Sequence, residues 1–509
     1  MPNRLGQNSA GDAILDLEFC YHNIFCQSAV IIFVLPTSAQ GSSILSWNGT
    51  SMKFWAFPRD ASVCFSALLL LPIWASTHKG NSLTPFFHPG GFNEVTYWRI
   101  LTDNEKQRLV LPEDWEYVGS FQLPQGTFGS SRFTNGGTVL AYRPDGDPSG
   151  SADGFPGSLF TIGHPNDQMV AEVSIPKPKI SATNNPAELP VAQVLQPFAD
   201  VTGGLKNQLS DVGILRGMAV VDVPQTGAKL HWALNKWYNV GGENVAGHGY
   251  SDLNLNNPNA KGRWSLAEAH NQMTGGYLVL APDAWAQQYT GGRRLIAGLT
   301  VNQGNATTSA GPAFFAFAPW LEPAVPPPTG ASLSNVPLTY YPFGTHNLPG
   351  FKITDTYDGA AWLSAGTKNA VAVVGRAALG PADANGAVYY GVGRPGDCDS
   401  SKGYHGDPYA PRIMLFDPNE LAASGQKMIQ PWDVRPYVSF DPRPYIYTSC
   451  DGELSGATFD SLRGLLYILQ PHADESRNEY ESIPLVHVFR IRSTPSQDNP
   501  AAPTELRIR

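Results

Sequence analysis

The sequence predicts an all-β fold assembled from repeated strand-turn-strand units, and three stretches carry that prediction. Residues 137–176 hold GTVLAYRP, a polar insert, GSLFTIGHPND and then QMVAEVSIP. Each apolar run is short, alternating or continuous, and is closed by Pro, Gly or Asp, which is strand grammar rather than helix grammar. The same grammar returns as GMAVVDVPQTGAKLHWALNKWYN from Gly217, and as GATFDSLRGLLYILQPH followed by LVHVFRIR near the C-terminus. Units repeated in this way build radial or stacked β architectures, because no single unit can bury its own apolar face. Composition agrees: 51 Gly and 43 Pro in 509 residues, with only 15% charged, suit many short strands joined by tight turns and argue against a helical bundle. Aromatic residues at 11% make the chain too hydrophobic for disorder.

The N-terminal region lacks this grammar. Residues 1–51 read as an over-extended gene start, and Met52 opens MKFWAFPRDASVCFSALLLLPIWAS. Lys53 and Arg59 precede an apolar core from Ala61 to Trp74, and the small residues Ala75 and Ser76 follow it. That is the layout of a secretory signal peptide over 52–76, with an apolar core too short to span a membrane comfortably. An earlier apolar run, Ile24 to Gln40, is a poorer leader because Asp12, Asp16 and Glu18 precede it. Cys20, Cys26 and Cys64 fall in the part expected to be removed or untranslated. Only Cys398 and Cys450 remain, a pair suited to one disulfide in an oxidising compartment. Closing that loop of about fifty residues would stabilise the fold by roughly 3–4 kcal/mol in the loop-entropy account.

Residues 77–114 read as a leader strap, and WEYVGSFQLP (115–124) as the first true strand. A Pro/Asn-rich connection spans 177–190, and a Gly/Asn-rich aromatic loop follows the unit at 212–238. GGYLVLAP, RRLIAGLT and GPAFFAFAPW read as strands, DAWAQQYTGGR as a short helix ended by Gly291, and LEPAVPPPTG as a linker between units. GAAWLSAGTKNAVAVVGR, ANGAVYYGVG and PRIMLFDP continue the strand pattern, and DPNELAASG has the capping Asp417 and terminal Gly425 of a surface helix. Residues 493–509 read as a flexible tail.

Several stretches bear on chemistry. Asp145, Asp147 and Asp153 in PDGDPSGSADG fall at calcium-loop positions 1, 3 and 9, but Pro156 stands where the bidentate Glu belongs. They define at most a weak calcium site, with a plain turn as the alternative. GVGRPG (391–396) matches a dinucleotide glycine pattern yet opens no helix to hold a pyrophosphate, so that reading is rejected. Serine-hydrolase elbow, zincin and P-loop motifs are missing from the sequence. The formal net charge of −9 argues against a nucleic-acid partner. GHGYSDLNL sets His248, Tyr250 and Asp252 at alternating positions, on one face if extended. His164 and Asp167 lie just past a strand end, as does Asp358. His and Tyr near carboxylates suit proton transfer, carboxylate pairs suit glycosidic cleavage, and Trp237, Tyr238 and Trp264 could stack on sugar rings.

Over residues 115–492 the repeated strands resemble β-propeller proteins in general, with six or seven blades expected and five allowed. An irregular multi-sheet β-sandwich or β-helix is the alternative. The resemblance is architectural: no WD, Kelch or Asp-box signature is present, so no family's active residues carry over. In such a fold the first strand completes the last blade, which predicts that 115–124 pairs with 485–492. It also implies that strand ends distant in sequence converge around one channel. The expected function is an exported propeller acting on or binding an extracellular polysaccharide or oligosaccharide, a hydrolase or lyase if catalytic. The catalytic candidates are His248, Tyr250, Asp252, His164 and Asp358, and the substrate-binding ones Trp237, Tyr238, Trp264 and Asp167. A non-catalytic recognition scaffold is the second expectation. A calcium-dependent, lactonase-like hydrolase is the third.

Overall fold

Strand pairing sorts the repeat units into five antiparallel sheets, each entered at its innermost strand. This computed structural model describes residues 92–209, 213–236, 239, 242–299, 308–380, 389–390, 404–406, 408–447, 452–476 and 481–493, with three short strands further N-terminal. The innermost strands are Leu140–Arg143, Gly213–Val223, Leu278–Leu280, Thr356–Ala365 and Ala457–Asp460. Each of the five contacts the next, and the fifth returns to the first, so the ring is closed. The fold is a five-bladed β-propeller.

Closure uses the N-terminal strand as expected. Trp115–Gln122 is the outermost strand of blade 5, with Ile491 opposite Trp115 and Leu485 opposite Gln122. The preceding segment is also built in. Asn93–Tyr97 pairs with Pro436–Asp441 as the outer strand of blade 4. The helix Asp103–Arg108, opened by a Thr102/Glu105 capping box, then sends Arg108 in a two-pronged bond of 2.6 Å on each oxygen to Asp417. The expected strap at 77–114 thus contributes a strand to the propeller from Asn93 onward.

Period-two alternation explains how one strand serves two interfaces. In blade 1, Leu140 and Tyr142 pack toward blade 5 while Val139 and Ala141 pack toward blade 2. In blade 3, Leu278 faces blade 2 and Val279 faces blade 4. Five large apolar clusters result, one in each wedge between neighbouring blades. The inner strands come very close, and glycine permits it. A Cβ on Gly456 would sit 2.6 Å from the Leu140 amide nitrogen, and one on Gly359 would collide with the Ser455 carbonyl oxygen.

Six or seven blades is therefore an overcount. Of ANGAVYYGVG the described residues are Tyr389–Tyr390, a two-residue strand paired with Tyr404–His405 outside the five blade sheets. The Pro-rich connector is not a linker between blades either: it joins the third and fourth strands of blade 3, and Ser332–Leu333 pairs in parallel with Ser265 and Leu266 of blade 2. Helices fall at Asp283–Tyr289 and Pro418–Gly425, the second capped by the Asp417 side chain. Among the described residues no helix is long and apolar enough to cross a membrane. Residues 1–82 form a unit of their own, in which Phe33–Leu35, Ser43–Trp47 and Met52–Ala56 make a three-stranded antiparallel sheet. The apolar core at 61–74 lies outside the described residues.

Candidate functional site at the channel mouth

The five inner strands all run in the same sense along the channel, so their first residues gather at one face, here called the upper. Polar residues stand there immediately before the apolar runs begin. Arg216 precedes Gly217 in blade 2, Asp358 precedes Gly359 in blade 4, and Glu453 and Ser455 precede Gly456 in blade 5. The turn 163–169 between the second and third strands of blade 1 reaches the same rim. Arg216, Asp358, Glu453 and the blade 1 turn line a cavity of about 550 Å³, whose walls also include Thr138 and the apolar Ile214 and Pro165.

An ion pair crosses this mouth. Arg216 Nη1 donates to Asp358 Oδ1 at 3.0 Å, joining blades 2 and 4, which are not neighbours in the ring. Their side chains are 15% and 13% exposed, dry enough for the pair to be stiff but still reachable from solvent. Asp358 Oδ2 has no hydrogen-bond partner among the described residues. Arg376 of blade 4 approaches Glu453 of blade 5 at 4.0 Å, a charge contact too long for a direct hydrogen bond.

The blade 1 turn is held from below. Lys206 Nζ donates to the carbonyls of Asp167 at 3.0 Å and Gln168 at 2.8 Å, and burial lowers the pKa of this lysine. Gln168 ties the turn to blade 2 by accepting from the Leu215 amide at 2.7 Å. Asp167 accepts from the Ser131 hydroxyl at 2.7 Å and lines an adjoining cavity of about 570 Å³. His164 is half-buried, and burial, with Arg132 nearby, lowers its pKa. Its Nδ1 accepts from the Asn166 amide at 3.2 Å, which leaves Nε2 carrying the proton of the neutral ring.

The structure therefore brings Asp358 into the mouth and His164 and Asp167 to its rim. It does not bring the GHGYSDLNL residues there. His248 opens the third strand of blade 2, fully buried against Phe317 in the wedge with blade 3. Tyr250 packs edge-on against Trp264, itself fully buried with its indole N–H on the Pro327 carbonyl. Asp252 lies past the opposite end of that strand, paired with Lys229 at 2.5 Å and with Asn259. With about 3.3 Å of rise per residue, His248 and Asp252 stand roughly 13 Å apart along the strand, too far to share one proton. Trp237, Tyr238, Cys398 and Cys450 lie outside the described residues, as does the expected disulfide.

The calcium candidates sit at the lower face and point to turns. Asp147 Oδ1 accepts from the amide and hydroxyl of Ser149, Asp153 Oδ1 from the Phe155 amide, and Asp145 pairs with Arg143 at 3.4 Å. Among the described residues no three His, Cys, Asp or Glu side chains gather to hold a metal. The Asp145–Asp153 insert is a set of Asx turns. The lower end of the channel is mainly apolar, a pocket of about 350 Å³ with Met218, Val220, Leu280 and Trp362 in its wall.

No protein-family model matches the chain, and no curated protein is detectably similar to it in sequence. Sequence reasoning missed Arg216 and Glu453. A signal was present for Arg216: each inner-strand apolar run follows a glycine, in RGMAVV, GGYLVL, DGAAWL, SGATF and GGTVLAY, and in RGMAVV and DGAAWL the charged residue just upstream marks the mouth. Glu453 lies three residues before its glycine and carries no such mark.

Proposed function

We propose that the protein is an exported propeller that cleaves an extracellular carbohydrate at the upper mouth of its channel. The observation that supports this reading most is the pair of carboxylates, Asp358 and Glu453, carried by different blades yet lining one open cavity with Arg216. Its volume falls in the range of roughly 300–1,000 Å³ typical of small-molecule sites. Two carboxyl groups flanking a glycosidic bond can divide the work, one protonating the leaving oxygen and the other activating water or attacking the sugar. Asp358 suits the second role, with Oδ1 held by Arg216 and Oδ2 unengaged. Glu453 supplies the second carboxyl. His164 supplies an Nε2–H donor for sugar hydroxyls at the rim. Export rests on the leader-like segment 52–76.

The test is to incubate the purified full-length protein with neutral and acidic polysaccharides, following reducing ends and unsaturated uronate absorbance together. Reducing ends alone mean hydrolysis, and both signals mean a lyase. Asp358→Asn and Glu453→Gln are each expected to lower the rate at least about 100-fold while leaving the melting temperature within a few degrees. Silence across the panel sinks the reading and leaves the recognition scaffold.

A further inference from the structure

A second cavity, of about 280 Å³, lies against blade 4 and shares no lining residue with the channel mouth. Its wall includes Trp98, Phe351, Lys352, Asp355, Tyr357 and Arg412. Two of these carry buried donors with nothing to donate to among the described residues: the Tyr357 hydroxyl and Arg412 Nε. Tyr357 is fully buried. Leaving such groups unpaired costs about 1–3 kcal/mol each, so native proteins supply a partner, whether water, ion or ligand.

The surrounding bonds fix the wall without using those donors. Arg412 Nη2 is held by Glu94 at 3.1 Å, and Lys352 Nζ donates to the Gly380 carbonyl at 2.7 Å. Asp355 is not a free acceptor. Its two oxygens receive the Ala378 amide at 2.8 Å and the Lys352 amide at 3.1 Å, stapling the loop to the second strand of the blade. The Trp98 indole is oriented by its N–H on the Ser439 hydroxyl at 3.1 Å. The cavity therefore combines a fixed aromatic wall, the cationic Lys352 and Arg412 with the carboxyls of Asp355 and, behind Arg412, Glu94, and two unanswered donors.

We propose that this cavity binds a small organic carboxylate with a flat apolar body. The carboxylate accepts from Arg412 Nε and the Tyr357 hydroxyl, and the body lies against Trp98 and Phe351. The probe is 4-fluorophenylacetate, titrated with the full-length protein and followed by fluorine NMR line broadening, with 4-fluorophenylacetamide as the uncharged control. The acid is expected to bind at least threefold tighter than the amide. Tyr357→Phe keeps the ring packing and removes one neutral hydrogen bond, so it should weaken the acid about 2–10-fold. Arg412→Gln should weaken it about 10–100-fold. The proposal is overturned if the acid shows no broadening, leaving water alone in the cavity. It is equally overturned if acid and amide bind alike, or if both variants leave the affinity unchanged. Glycan cleavage plays no part in the readout, so failure at the channel mouth leaves this test intact.

Discussion

Three histidines set the acid behaviour of the fold. His231, His248 and His487 are fully buried, and burial lowers each to a pKa of about 3 from 6.5. Neither ring nitrogen of His248 has a partner among the described residues, nor does Nε2 of His231. These rings fold neutral. The stability they allow is complete above pH 6.5, where the unfolded chain is also neutral, and is lost as pH falls toward 3 because only the unfolded chain takes up protons. At pH 4.5, two units below the unfolded value, each costs about 2–3 kcal/mol. Asp355, pushed up to about 6 by burial, acts in the opposite direction between pH 4 and 6, as do Asp114, Glu420 and Asp441, which burial also raises, while Asp252, held down by its Asn259 and Lys229 hydrogen bonds, acts with the histidines. Urea unfolding at pH 7 and pH 4.5 should show a large loss of stability in acid. His248→Phe should flatten that dependence, and an unchanged pH slope in this variant would refute the assignment.

Closure is the decisive event at the level of strands. Trp115 begins the strand that completes blade 5, and its ring meets Phe92, Phe440 and Phe489 at centroid distances of 5.8, 5.3 and 5.5 Å. One indole thus joins blades 4 and 5 at the seam. Trp115→Ala should cost about 3–5 kcal/mol in equilibrium unfolding, the usual effect of emptying a large buried aromatic site. A cost below 1 kcal/mol would mean that the seam is held elsewhere. This pairing was legible before any coordinates, because LVHVFRIR and WEYVGSFQLP both carry strand grammar and the repeat needed a partner for its ends. The fate of GHGYSDLNL was not. Alternation placed His248 and Tyr250 on one face correctly, but the sequence does not say whether that face meets solvent or the neighbouring blade.

Over the whole molecule, five blades bring the inner strands closer than a larger ring would. The closeness falls on glycines at the start of those strands. Gly359→Ala or Gly456→Ala forces a methyl group against a neighbouring strand's backbone and should lower stability by about 1–3 kcal/mol, read as a reduced melting temperature. Because Gly359 adjoins Asp358, its variant should also slow any reaction at the mouth more than Gly456→Ala slows it. Equal stability in both variants would indicate that the inner strands can spread.

The amino-acid pattern by itself determined the β class, the radial repeat, the closing pair of terminal strands and two short helices, one of them capped by Asp417. Each of these depends on neighbours in sequence: alternation, turn residues and caps act over a few residues at a time. Blade number and the membership of the site were decided only by the tertiary structure. How many blades close a ring depends on which apolar runs become blade strands, and Tyr389–Tyr390 pairs in a small ribbon instead. Arg216, Asp358 and Glu453 are separated by long stretches of chain, and only the meeting of inner strands at one face sets them around a single cavity.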